Sequence, residues 1–169
     1  KDIPAEQIKA TDALTLSVSV PTPAELPPVA PEPEKFDVHV VHTSDILGQL
    51  DGSGIGFARL ATLLGWGRNL SKRNLVLDAG NTTSGTPVAE AFEGESVAVL
   101  LDMLGYDAIA PGPADYAYGL DRLREAAAAA SRLSEMKVLA ANIFDEQGTQ
   151  IFEPYGLFDL DGFTVGVIG

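Results

Sequence analysis

From Phe36 onward, short apolar segments typical of strands alternate with longer segments in which apolar residues recur at helical spacing. The strand-type segments are FDVHVVHT, NLVLDA, YDAIA and KVLAAN, and the helical ones are GFARLATLLGWGRNL, ESVAVLLDMLG and LDRLREAAAAASRLSEM. Strands that alternate with helices form a mostly parallel sheet joined by right-handed crossovers. The pattern therefore predicts an α/β fold with flanking helices. The last segment, FEPYGLFDLDGFTVGVIG, predicts a hairpin that turns at Asp161-Gly162.

Proline marks a different region at the start of the chain. Residues 1–35 hold seven of the eleven prolines, which predicts an extended, polyproline-like leader before a domain at residues 36–169. Within the leader, residues 14–20 read LTLSVSV, with strict alternation of apolar and polar side chains. This segment is either a strand that pairs with the sheet edge of a protein partner or a chance alternation in a disordered leader.

Charge and composition exclude several classes of function. The chain has 24 acidic against 11 basic residues, a formal net charge of −13, so it repels nucleic acids and anionic membranes. The absence of cysteine excludes disulfides, thiolate metal sites and a cysteine nucleophile. No apolar run is long enough for a membrane span, and no signal peptide is visible. Because the apolar strand at the end stops at Gly169, we expect a further segment or a second chain to complete the domain.

Polar loops follow three of the predicted strands. They place Asp45, Asn81 and Asp115 at strand carboxyl ends, which meet at one edge of an open α/β sheet. Convergent oxygen atoms at such an edge suit a hard cation such as Mg²⁺ or Mn²⁺, but ordinary polar loops fit the same spacing. The two histidines, His39 and His42, point to opposite faces of the first strand and cannot share a metal there.

Taken in order, these loops resemble the N-terminal metallophosphoesterase domain of the 5′-nucleotidases, within the calcineurin-like metallophosphoesterases. The resemblance runs from about Phe36 to Gly169. It is carried by the segments HTSDILG, GIGFARLAT, LVLDAGNTTSGTP, GYDAIAPGPADYAYG, VLAANI and PYGLFDLDGFTVGVIG. It implies the first half of a four-layer α/β/β/α sandwich, in which the present sheet packs against a second sheet supplied by the other half of the domain.

Members of that family hold two divalent metals, and the departures of this chain fall on those ligands. By position, Asp45 keeps the first metal aspartate, and Leu47 replaces a metal histidine. Asn81 replaces the aspartate that bridges the metals. Pro113 replaces a metal asparagine, and Ala114 replaces the catalytic histidine.

These replacements predict a domain without a metal site or cofactor, because Leu47 and Pro113 offer no donor and Asn81 offers only one neutral oxygen. A residual polar site at Asp45, Asn81 and Asp115 remains an expectation. The favoured function is a catalytically degenerate module that binds or scaffolds a partner.

The alternative is an active phosphohydrolase of nucleotide phosphate esters. It would use a divalent metal pair held by Asp45, Asp78 and Asp115 together with residues beyond Gly169. The resemblance further implies a periplasmic or extracellular location. It also implies the second half of the domain, in the same or a separate chain, as a partner.

Overall fold

The computed structural model describes residues 35–50, 54–132 and 134–169. The possible strand at residues 14–20 lies outside them, and the boundary near residue 35 stays a prediction. The helices are α1 (Gly56–Leu70), α2 (Pro87–Ala91), α3 (Glu95–Met103) and α4 (Leu120–Ala130). The strands are β1 (His39–Thr43), β2 (Asn74–Asp78), β3 (Ala108–Ile109), β4 (Lys137–Val138), β5 (Tyr155–Leu160) and β6 (Phe163–Ile168).

The predicted α/β architecture is confirmed. Strands β1 to β4 form one parallel sheet in the order β1-β2-β3-β4, with Val41 opposite Val76 and Ile109 opposite Val138. Strands β5 and β6 pair antiparallel and turn at Asp161-Gly162, as predicted, with φ values of 56° and 86° at the two turn residues. Left-handed values at both central residues are those of a tight hairpin turn.

The core lies between the parallel sheet and helices α1, α3 and α4. Every second residue of β1 and β2 points towards the helices, so Val41 is half-buried and Val76 is fully buried against them. The principal buried side chains of the helices are Phe57, Leu60, Leu64, Val97, Leu101, Ala126 and Ala130. The carboxyl edge of this sheet is therefore held on a packed support.

One predicted helix ends earlier than expected, and one helix was not predicted. Helix α4 ends at Ala130, although the sequence pattern continues to Met136. The Ser131 hydroxyl donates to the carbonyl of Met136 at 2.7 Å, and the Ser134 amide donates to the Asp102 carboxylate at 3.0 Å. These hydrogen bonds outweigh helix propensity. The sequence pattern also gave no indication of α2, which begins with the capping hydroxyl of Thr86 followed by Pro87.

Within the described ranges, no helix combines the length and apolar character that crossing a bilayer requires.

Candidate functional site

The loops after β1, β2 and β3 meet at the carboxyl edge of the sheet, as predicted. The first loop runs beside the second, because the amides of Asp45, Leu47 and Gly48 donate to the carbonyls of Gly80, Asn81 and Thr82 at 2.8–3.0 Å. The third loop forms a single 3₁₀ turn at Pro113–Tyr116. Backbone hydrogen bonds thus fix the relative positions of the first two loops, and the side chains below attach the third.

The Asn81 amide joins all three loops. Its Nδ2 donates to Asp45 Oδ1 at 2.9 Å, and its Oδ1 accepts the backbone N–H of Ala114 at 2.9 Å. A carboxylate only accepts and a backbone N–H only donates, so these two partners fix the orientation of the amide. The hydrogen bond from Asn81, followed by one from Ser44, lowers the pKa of the exposed Asp45 carboxyl. The neutral Asn81 amide thus satisfies one acceptor site of the exposed Asp45 carboxylate.

Asp115 is buried beneath this contact and holds the loops together. Its Oδ2 accepts the backbone N–H groups of Asn81 and Gly112 at 2.7 and 2.8 Å. Its Oδ1 accepts the N–H groups of Thr82 and Thr83, and also the Thr83 hydroxyl, at 2.7–2.9 Å. Five donors within the protein therefore engage both oxygens. Of the residual polar site expected from the sequence, Asp45 and Asn81 are in direct contact, whereas Asp115 braces their loops from within.

Asp78 lies at the end of β2 in a second buried network. Its Oδ2 accepts the hydroxyl of Thr43 at 2.6 Å, and its Oδ1 accepts the hydroxyl of Thr82 at 2.7 Å and the N–H of Gly80 at 2.9 Å. Burial raises the pKa of the Asp78 carboxyl despite these hydrogen bonds. The Thr43 oxygen lies 2.8 Å from the Tyr106 hydroxyl, and burial raises the pKa of Tyr106 to about 12.

The backbone of these loops is unusual where the resemblance places metal ligands. Asp45, Leu47 and Asn81 adopt left-handed conformations with φ of 54°, 51° and 57°. For an ordinary residue this conformation costs roughly 1–2 kcal/mol. Leu47 has no polar side-chain atom to offset that cost and leaves its side chain 40% exposed. The loop at this position thus keeps a strained shape around an apolar side chain.

The second and third loops approach each other so closely that a side chain would not fit at Gly80 or at Gly112. A Cβ atom on Gly80 would lie 2.3 Å from the backbone nitrogen of Gly112, and one on Gly112 would lie 2.5 Å from Asn81 Oδ1. Both glycines are therefore needed for the Asn81 contact. The Ser84 hydroxyl adds a bond to the carbonyl of Ala114 at 2.7 Å, which anchors the 3₁₀ turn.

The metal pair implied by the fold does not fit these residues. Among the described residues, no three His, Asp or Glu side chains are grouped so that they could hold an ion. Asp115 already accepts five hydrogen bonds and Asp78 accepts three, and both polar atoms of the Asn81 side chain have partners. His42 is exposed on β1, in a regular strand that directs it away from the face of His39.

Sequence reasoning missed the residues that surround the carboxylates. Thr43, Thr82, Thr83 and Tyr106 all donate hydrogen bonds to these networks or extend them. The run Thr82-Thr83-Ser84, directly after Asn81, was the available signal, because each hydroxyl can donate a hydrogen bond to a nearby oxygen acceptor.

Comparisons with known proteins agree with the resemblance. No protein-family model matches the chain. The protein UshA of Yersinia enterocolitica is 31% identical over 150 residues, which are 83% of this chain and 26% of that protein. The crystal structure of a 5′-nucleotidase precursor from Thermus thermophilus is 28% identical with a TM-score of 0.64, over 78% of this chain and 28% of that one.

A calcineurin-like phosphoesterase, YfkN from Bacillus subtilis, shares the fold at 21% identity and a TM-score of 0.59, over 77% of this chain and 46% of that one. The chain spans about a quarter of the length of the curated relative UshA. These matches confirm the sequence resemblance to 5′-nucleotidases and the metallophosphoesterase architecture.

Proposed function

We propose that this chain, which matches the metallophosphoesterase domain of the 5′-nucleotidases in sequence and fold, is a metal-free module that binds or scaffolds a partner instead of hydrolysing phosphate esters. The observation that carries the proposal is the Asn81 amide, bonded to Asp45 at 2.9 Å and to Ala114 at 2.9 Å. By the resemblance, a metal-bridging carboxylate belongs at this position.

Charge balance supports the proposal. A pair of divalent ions brings four positive charges into a small volume, and several anionic ligands must offset them. Among the described residues of these loops, Asp45 is the exposed carboxylate, and its Oδ1 already accepts a hydrogen bond. Leu47 and Pro113 contribute no ligand atom from their side chains. Without metals, no bound hydroxide forms at neutral pH to attack a phosphate.

The test is turnover of 5′-nucleotides and of a generic phosphate ester by the longest natural polypeptide that contains this segment, with Mn²⁺ present. The matched variant restores the family residues through Leu47→His, Asn81→Asp, Pro113→Asn and Ala114→His. We expect no turnover by the natural protein and a gain of metal binding in the variant. Chelator-sensitive hydrolysis by the natural protein would instead support the alternative, a rearranged site that includes Asp45.

The sheet face opposite the helices is partly exposed and apolar, which supports the proposal that a partner covers it. Val40 is 52% exposed on this face. Together with Leu77 and Val167, it lines an apolar cavity of about 330 Å³ between the parallel sheet and the hairpin. We propose that the second half of the domain covers this face. Val40→Arg should then lower the melting temperature of the longer polypeptide, because it places a charge in the covered interface. An unchanged melting temperature would argue that the face stays open.

The same resemblance leads us to propose export to the periplasm or the cell surface. Fractionation of the source cells, with enzyme markers for each compartment, tests it, and recovery in the cytoplasmic fraction would contradict it.

A further inference from the structure

Helix α1 has two apolar sides. One packs on the sheet through Phe57, Leu60 and Leu64. The other carries Leu63, Trp66 and Leu70, which we call the α1 stripe, and their exposed fractions are 44%, 66% and 72%. Their spacing of three and four residues aligns them along one line on the helix surface. Three large apolar side chains in a row expose on the order of 350 Å², which is the size of patch that often marks a binding surface.

The helix that carries the stripe is held firmly. Arg68 reaches from α1 to the end of α3, where its guanidinium donates to the carbonyls of Leu104 and Gly105 at 2.5 Å each. The stripe therefore lies on a fixed helix. It also lies on the side of α1 away from the sheet, so its role is independent of whether the three loops bind metal.

The segment that contains the stripe is basic, although the chain as a whole is acidic. The net charge is −13, yet residues 52–77 contain four basic residues and no acidic one. Arg73 is paired with Asp161 at 3.5 Å, and Arg68 bonds the end of α3. Arg59 and Lys72 are exposed beyond the two ends of the stripe, and neither forms an ion pair with any residue that the structure describes. These two cations are free to attract acidic groups.

We propose that the α1 stripe docks an amphipathic α-helix of a partner protein whose apolar residues are flanked by Asp or Glu. The spacing Arg59, Leu63, Trp66 and Leu70 repeats as four, three and four residues, which is the spacing of helices that pack side by side. The stripe with its flanking cation spans about 16 Å along the helix axis, or about three turns of a partner helix. A bilayer is the less favoured occupant, because the remaining acidic surface would be repelled by anionic lipid.

The experiment uses Trp66, the only tryptophan in the chain, as the reporter of its own burial. A synthetic helix of about three heptads, with Leu at the apolar positions and Glu on the flanks, is titrated into the protein while the Trp66 emission is followed. We expect a saturable blue shift that weakens at high salt. A matched peptide with Lys in place of Glu should bind roughly tenfold more weakly or not at all.

Variants separate the two parts of the surface and keep the reporter. Arg59→Glu combined with Lys72→Glu should reverse the preference between the two peptides, and Leu63→Glu combined with Leu70→Glu should abolish binding of both. Phe92→Glu is the matched control, because Phe92 is 59% exposed but lies after α2, and it should bind as the natural chain does. Far-UV circular dichroism confirms that each variant is folded.

Several results would overturn the proposal. One is no shift with the acidic peptide, and another is an equal shift with both peptides. A shift with phosphatidylglycerol–phosphatidylcholine vesicles and not with the acidic peptide would assign the stripe to a lipid surface. A shift that grows with protein concentration in the absence of peptide would assign it to a second copy of the chain.

Discussion

Replacing Asp115 by asparagine tests the loop arrangement directly. The natural carboxylate is 5% exposed and accepts four backbone N–H groups and one hydroxyl. An asparagine keeps one acceptor oxygen. Its NH₂ group replaces Oδ2 and then faces the N–H groups of Asn81 and Gly112, which donate to Oδ2 in the natural chain. Two buried donors then lack an acceptor, at about 1–3 kcal/mol each, and the remaining hydrogen bonds lose their charge assistance. The expected loss is about 3–5 kcal/mol of unfolding free energy.

Urea unfolding followed by far-UV circular dichroism measures this loss, and the denaturant slope should stay unchanged. The matched control is Asp121→Asn, because the Asp121 side chain is 92% exposed in the first turn of α4. We expect the control to change stability by less than about 1 kcal/mol. Asp115→Glu keeps a carboxylate at this position and should recover part of the stability. A loss below about 1 kcal/mol for Asp115→Asn would refute the reasoning, because the carboxylate would then not be what holds the loops.

Three further predictions concern the neighbouring groups. Asn81→Asp should lower the melting temperature at neutral pH, because it places a second carboxylate beside that of Asp45. The decrease should be smaller in acid, where one of the two carboxylates is protonated. Equal melting temperatures of the variant and the natural chain at neutral pH would contradict this prediction. Tyr106→Phe should cost about 1 kcal/mol in urea unfolding, since it removes the hydroxyl 2.8 Å from Thr43 Oγ1 and keeps the ring, and a loss above about 3 kcal/mol would point to a larger role. Burial raises the pKa of Asp78 in the folded chain, because it favours the protonated carboxyl. Protonation of Asp78 therefore stabilises the folded state fully at pH values below the pKa of the unfolded chain. This stabilisation is lost as the pH rises through the pKa of the folded chain. Asp78→Asn should therefore gain stability relative to the natural chain between acidic and neutral pH, and parallel pH curves for the two proteins would be inconsistent with this.

Much of the fold could be predicted because local patterns and packing agree. Helix α1 has the predicted bounds, since its apolar residues at helical spacing face a sheet that buries them. Helix α4 is shorter than predicted, because Ser134 bonds the distant Asp102 and local propensity carries no information about that contact. The hairpin turn was predictable because Asp-Gly favours the left-handed conformations that a tight turn requires.

The candidate site was predictable only in its location. Strand order places the loops of Asp45, Asn81 and Asp115 at one edge. Their side-chain roles depend on distances between loops, which the sequence does not specify. Asp115 and Asn81 are both polar residues after strands, yet one is a buried acceptor of five hydrogen bonds and the other forms a bridge to the exposed Asp45.

Calorimetric titration of Mn²⁺ into the longest natural polypeptide that contains this segment tests the central claim most directly. The Asn81 bridge, together with Leu47 and Pro113, predicts no binding heat up to millimolar metal. Two-site binding at micromolar affinity would contradict the claim, and it would mean that Asp45 and residues outside the described ranges assemble a metal centre despite these replacements.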